Sequence, residues 1–252
     1  MKNKQLYLIL IPFILWLLDE IFFFKPGFFF VSLGLGLLII TLGVRTLFKG
    51  HSSKFWPAFI LPPALFFLSF SFYSAIIASQ FWIQVIFLFN VWFVFSYLKN
   101  IYYYFSFGAP EREAKLRHLL LNGSFLSAFA VAASLYGLPI FLSWPFMLLL
   151  LGFALISFIL FGQFFIFSQK IEREQKIFWG LNVLIFTELV GVISFLPLNY
   201  NVLGILAAII FYLLIIFNDW RSENKFGYKN MKWPVIIGSL IIITLLLSAR
   251  WL

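Results

Sequence analysis

Apolar residues neither alternate along this chain nor recur on one helical face. They fill long stretches, with few polar interruptions, at 6–24, 28–45, 57–78, 81–98, 119–137, 143–167, 178–196, 202–217 and 233–249. A helix needs about 20 such residues to cross a hydrocarbon layer roughly 30 Å thick. A helix packed on a water-soluble core would instead interrupt each turn with a polar face. The pattern predicts an all-α, polytopic integral membrane bundle of about nine transmembrane helices, forming a single transmembrane domain over residues 1–252. The links are short, so neighbouring spans are expected to pack as antiparallel hairpins.

Charge between the runs falls in alternation. Lys2 and Lys4, Arg45 to Lys54, Lys99 to Arg117, Lys170 to Lys176, and Arg221 to Lys232 all fall on one predicted side. Only Lys25 and Arg250 of the 18 basic residues fall on the other. Basic links stay on the cytoplasmic side, which predicts a cytoplasmic N-terminus and an extracytoplasmic C-terminus. Trp56, Trp82, Trp144, Trp179, Trp220, Trp233 and Trp251 fall near the ends of runs, where an indole ring settles at headgroup depth. The uncharged outer links are expected around Ser79–Gln80, Leu138–Leu142 and Pro197–Asn201, marked by Pro139 and Pro197. The segment 99–118, with Glu111 and Glu113 ahead of Lys115 and Arg117, reads as a helix start suited to the helix dipole. It is either a short interfacial helix or an extension of the fifth span. Residues 218–232 are expected to form the largest polar loop. No small-residue cleavage site follows the first run, so it reads as an uncleaved span.

Composition agrees with lipid as the solvent. The 252 residues are 63% hydrophobic, 22% aromatic and 11% charged, and 37 of them are Phe. No single aqueous core could hide so many rings. The net charge of +9 belongs to the basic links rather than to a nucleic-acid surface. With no Cys, disulfides, thiolate metal sites and thiol nucleophiles are excluded. Frequent Phe, Ile, Lys and Asn suggest an AT-rich genome, and so a prokaryotic plasma (inner) membrane.

Few residues remain to carry chemistry. Glu188 interrupts the span 178–196, where a carboxylate costs about 2.5–3.5 kcal/mol on insertion scales. It is expected to face the bundle interior, beside a stripe of Thr187, Gly191 and Ser194, as an ion, proton or substrate site or as a carboxyl bonded to a neighbouring helix. Asp19 and Glu20 fall toward the outer end of the first span. They form either an outward-facing acidic site or an interfacial pair neutralised by Lys25. Gln80, Gln84, Asn90, Gln163 and Asn182 place amides within spans, where they bond other helices or line a polar path. Candidate binding residues are thus Glu188, Asn182, Asn90, Gln84, Asp19 and Glu20. No catalytic residue is assigned.

His51 and His118 are the only histidines and fall in or beside loops. Neither is placed for a haem or a proton relay, and no metal or cofactor is expected. Gly123, Ser127, Ala130, Ser134 and Gly137 recur at helical spacing, and Ser32, Gly36 and Gly43 do so on the second span; both are expected to be close-packing seams.

The Asp19–Glu20 pair is similar to the acidic pair of membrane glycosyltransferases that use lipid-phosphate-linked sugars, in which such acids act on the extracytoplasmic side. The likeness covers those two residues alone. That family has a substantial outer loop after its first span, and here Pro26-Gly27 leads straight into the next run. Retinal proteins are similar in size, but they need a lysine within a late span, and none is present. The chain is assigned to no family on these grounds.

Three functional classes follow. The first is a small transporter or channel-like protein built on a mid-membrane carboxylate. The second is a non-catalytic membrane subunit or scaffold, whose basic loops meet anionic lipid headgroups or a membrane protein partner. The third is a membrane enzyme acting on a lipid-linked substrate.

Overall fold

The computed structural model describes residues 2–48, 56–107, 110–143, 145–164, 173–222 and 228–248. Among them there is no strand. The helices are α1 (Lys2–Phe24), α2 (Phe29–Phe48), α3 (Leu61–Ser74), α4 (Gln80–Phe107), α5 (Pro110–Leu142), α6 (Phe146–Gly162), α7 (Arg173–Ile193), α8 (Tyr200–Ser222) and α9 (Tyr228–Ser248). Among the described residues seven apolar helical runs are long enough to cross a membrane, those of α2 and α3 counted with the 3-10 turns Pro26–Phe28 and Trp56–Ile60 that lead into them; α6 and the apolar part of α9 are shorter. The chain is an all-helical, multi-pass membrane protein, as its long apolar runs predict.

Helix ends differ from the expected limits in three places. Of the two alternatives for 99–118 the described residues fit the second, an extension of the fifth span: α5 starts at Pro110, while α4 continues past its expected end to Phe107. The polar loop expected at 218–232 is largely helical, because α8 continues to Ser222 and α9 starts at Tyr228. Pro139 does not mark a turn. It lies inside α5, and the helix ends only where Ser143 adopts a left-handed φ of 51°. Ser143 N–H closes that last turn on Pro139 O at 3.0 Å. Pro139 has no N–H to give to Leu135 O, so one bond of the last turns is forgone, but its own carbonyl accepts the closing bond. At Pro197 the turn is where it was expected. Asn199 Oδ1 then accepts from Asn201 N–H at 2.9 Å, capping the start of α8. His51, Trp144, Lys170 and Trp251 lie outside the described residues.

The chain divides into two compact units, Met1–Ser127 and Ala128–Leu252. In the first, α1 packs on α2 and α4, and α3 packs on α2 and α4. Leu8, Ile11, Leu15, Leu18 and Phe22 form the buried side of α1, while Leu6, Ile9, Phe13, Leu17 and Phe24 are exposed. A helix apolar on both its packed and its exposed sides is suited to lipid. Gly36 lies against the Phe67 ring and Gly43 against the tip of Ile11, so a Cβ at either would force that side chain to shift. In the second unit α7 packs between α6 and α8, and α9 packs on α8. Gly204 of α8 meets Ala133 of α5 so closely that a Cβ there would lie 2.9 Å from the Ala133 backbone nitrogen. Tyr136 Oη donates to Val190 O at 2.8 Å, joining α5 to α7. All members of both small-residue seams are buried, as close packing requires.

Candidate functional site: a buried carboxylate in the first unit

Asp19 and Glu20 are adjacent on α1 and so point about 100° apart. That offset separates their fates. Asp19 turns into the first unit and is only 1% exposed. Its carboxylate is held from two other helices: Ser71 Oγ of α3 donates to Oδ1 at 3.1 Å, and Asn90 Nδ2 of α4 donates to Oδ2 at 3.3 Å. Glu20 is half-buried and accepts from Gln84 Nε2 of α4 at 3.3 Å. Gln84 and Asn90 thus bring α4 against both acids. Lys25 is exposed and forms no ion pair with either acid. Amides and a hydroxyl, rather than a cation, face these carboxylates.

Aromatic rings close the cluster along α4. One turn before Asn90, Phe87 packs edge-on against Phe22 at 5.4 Å and Phe23 at 6.4 Å. One turn after it, Phe93 stacks on Phe66 at 3.7 Å and is followed by Tyr97 at 6.3 Å. Phe66, Phe87 and Tyr97 are fully buried. Rings on both sides lower the local dielectric, which strengthens each polar contact and makes an unsatisfied polar atom costly. One such atom lies within the cluster. Asn90 Oδ1 is buried without a hydrogen-bond partner among the described residues, although its own amide nitrogen is bonded to Asp19. Carboxylate, hydroxyl and amide oxygens together form a hard donor set.

Four of the six sequence candidates therefore meet: Asp19, Glu20, Gln84 and Asn90. The other two, Asn182 and Glu188, lie on α7 of the second unit. The expectation for Glu188 is corrected. It does not face an interior but lies exposed, in the same face as Leu181, Leu184, Ile185 and Val192. Along the candidate crossing run Gln175–Ile193 it lies past the middle, roughly 8 Å before the end of α7. Its expected neighbours bond their own helix: Thr187 Oγ1 donates to Val183 O and Ser194 Oγ to Gly191 O. Asn182 does face inward, 5% exposed, and its Nδ2 has no partner among the described residues. His118 is exposed on α5. The described residues hold no group of three His, Asp or Glu side chains able to hold a metal ion.

Ser71 is the site residue that sequence reasoning missed. Its signal was faint: Ser69, Ser71 and Ser74 recur in the otherwise apolar run of α3. Ser69 and Ser74 bond carbonyls of their own helix, and Ser71 alone reaches across to the acid.

The chain matches no protein-family model, no curated protein and no solved structure.

Proposed function

We propose that this protein is a small transporter whose first unit binds a proton or a monovalent cation at Asp19. The observation that carries the reading is the carboxylate itself: wrapped by α1, α3 and α4, bonded only by neutral donors, and beside the unpartnered Asn90 Oδ1. A carboxylate held within apolar helices without a cationic partner marks an ion or proton path more often than a structural bond. Glu20 and Gln84 supply the next polar pair, less buried and so the entry side. On this reading the nine helices make nine crossings, with a cytoplasmic N-terminus and an extracytoplasmic C-terminus, in the plasma membrane of a prokaryote. The acids then open toward the outer face. The test is a cation-dependent thermal shift of the purified chain, read with sodium, potassium and lithium chlorides and across pH. Reconstituted vesicles with an enclosed pH or sodium dye complete it. The wild-type chain responds to one of these ions and Asp19→Asn does not. Equal responses from the two overturn the proposal.

Glu188 favours a second reading, that of a membrane subunit. A carboxyl group on an exposed apolar helix face is poorly served by lipid and well served by a donor from another protein. Purification in mild detergent is then expected to bring down a partner in fixed proportion, and Glu188→Leu to release it. A chain that purifies alone in both forms removes this reading.

A further inference from the structure

A groove of about 620 Å³ runs between α4 and α5 of the first unit, and it shares only the Phe93 ring with the surroundings of Asp19. Its lining changes in kind along its length. Toward the basic ends of the two helices it is lined by Asn100 of α4 and by Lys115, His118 and Asn122 of α5. Toward the apolar parts it is lined by Phe89 and Trp92 of α4 and by Leu126 of α5. The residues involved span 89–100 on one helix and 115–126 on the other, each a length of roughly 16 Å at helical rise. Equal lengths in opposite directions give one continuous slot with a polar head and an apolar shaft.

The head is cationic and unopposed within the groove. Lys115, His118 and Asn122 are exposed, and no acid lines the slot. The nearest acid along α5 is Glu113, and its carboxylate is already held by Arg117 at 2.8 Å on the same helix. Asn100 spends its amide nitrogen on Ser96 O at 2.8 Å. The shaft is aromatic. Trp92 is 59% exposed within an apolar helix and stacks at 5.8 Å on Phe89, which Phe66 and Phe70 back from the core side, so the wall is firm and its Trp92 end is open. Gly123 sets the spacing, because it lets α5 approach the Phe93 ring that floors the slot.

The geometry points to a binding site for one anionic, phosphate-bearing lipid, with its headgroup at Lys115 and His118 and its chain along Trp92 and Leu126. Charge complementarity selects the headgroup. The aromatic shaft takes an acyl or isoprenoid chain, which a free phosphate lacks. The inference does not depend on transport at Asp19.

Native mass spectrometry of the full chain, titrated with phosphatidylglycerol or phosphatidylcholine, tests it. One phosphatidylglycerol is retained preferentially by the wild-type chain. Removing one basic group near an anionic headgroup weakens retention about fivefold, so Lys115→Gln with His118→Gln abolishes the preference. Trp92→Ala weakens retention of both lipids. Arg45→Gln, an exposed basic change on α2, leaves the preference intact. Equal retention of the two lipids overturns the proposal, as does an equal loss from Arg45→Gln. Inorganic phosphate separates the two sources of the same chemistry: if millimolar phosphate displaces the lipid completely, the head binds phosphate alone and the lipid assignment fails. Circular dichroism of each variant, matching the wild type, shows that a lost preference comes from the groove and not from unfolding.

Discussion

Replacing Asp19 separates its charge from its hydrogen bonds. In Asp19→Asn the shape is kept. Ser71 Oγ still finds an acceptor in the new amide oxygen. Asn90 now presents its Nδ2 to a new N–H donor, but it can turn its side-chain amide over and offer Oδ1 instead. That oxygen has no partner among the described residues of the wild-type protein. Both contacts therefore survive, and the expected change in stability is below about 1 kcal/mol. Asp19→Leu removes both acceptors. Ser71 can fall back on a carbonyl of its own helix, as Ser69 does, but Asn90 is stranded in a ring-lined pocket. Intramembrane hydrogen bonds are worth about 0.6–1.7 kcal/mol each, so losing the two costs about 1–3 kcal/mol. Thermal unfolding in one detergent ranks the three proteins, and a cation titration follows each. The expected order is wild type and Asp19→Asn together, with Asp19→Leu below, while the cation response belongs to the wild type alone. If Asp19→Asn unfolds as early as Asp19→Leu, the turning of Asn90 is wrong. If it keeps the cation response, the carboxylate is structural and the transport reading falls.

Other consequences follow from the packing. Gly204→Ala places a Cβ 2.8 Å from the Ala133 Cβ and 2.9 Å from its backbone nitrogen, so helix backbones must part, at an expected loss of about 1–3 kcal/mol in unfolding measurements. Gly180→Ala on α7 meets nothing within 4 Å and is expected to raise stability by up to about 1 kcal/mol. Tyr136→Phe removes the 2.8 Å bond to Val190 O and is expected to cost about 1 kcal/mol, seen as faster hydrogen exchange at the α7 end. Glu188→Leu is expected to hold or raise the stability of the isolated chain, because an exposed carboxyl is replaced by a residue that lipid favours by about 3 kcal/mol. A large loss in the isolated chain would place Glu188 in a bond of its own protein.

What the sequence made legible is depth, and what it hid is direction. The apolar runs follow the helices, and their few polar interruptions place Asp19, Asn90 and Asn182 within spans. Azimuth is another matter. In water, polar residues announce the outer face of a helix; in lipid, both faces are apolar, and the signal disappears. α7 illustrates the loss. Its buried side chains Asn182, Phe186 and Val190 fall, at about 100° per residue, within one third of the circumference, while Gly191, also buried, lies outside that arc against Leu150. Glu188 lies roughly 200° from the middle of that arc, on the opposite side. The sequence supported its expected inward turn only through the rule that intramembrane acids avoid lipid, a rule that says nothing of where a partner stands. Asp19 and Glu20 give the converse case. As neighbours they could not both face one interior, so at least one had to find a partner at a rim. The bond from Gln84 to the half-buried Glu20 and the bonds from Ser71 and Asn90 to the fully buried Asp19 resolve that division. Lys25 is the nearest base in the sequence, but it follows Phe24 beyond the end of α1. An acid directed inward among α3 and α4 meets their side chains first, and those side chains happen to be amides and a hydroxyl. The site was composed from three helices, and no single run of residues could have displayed it.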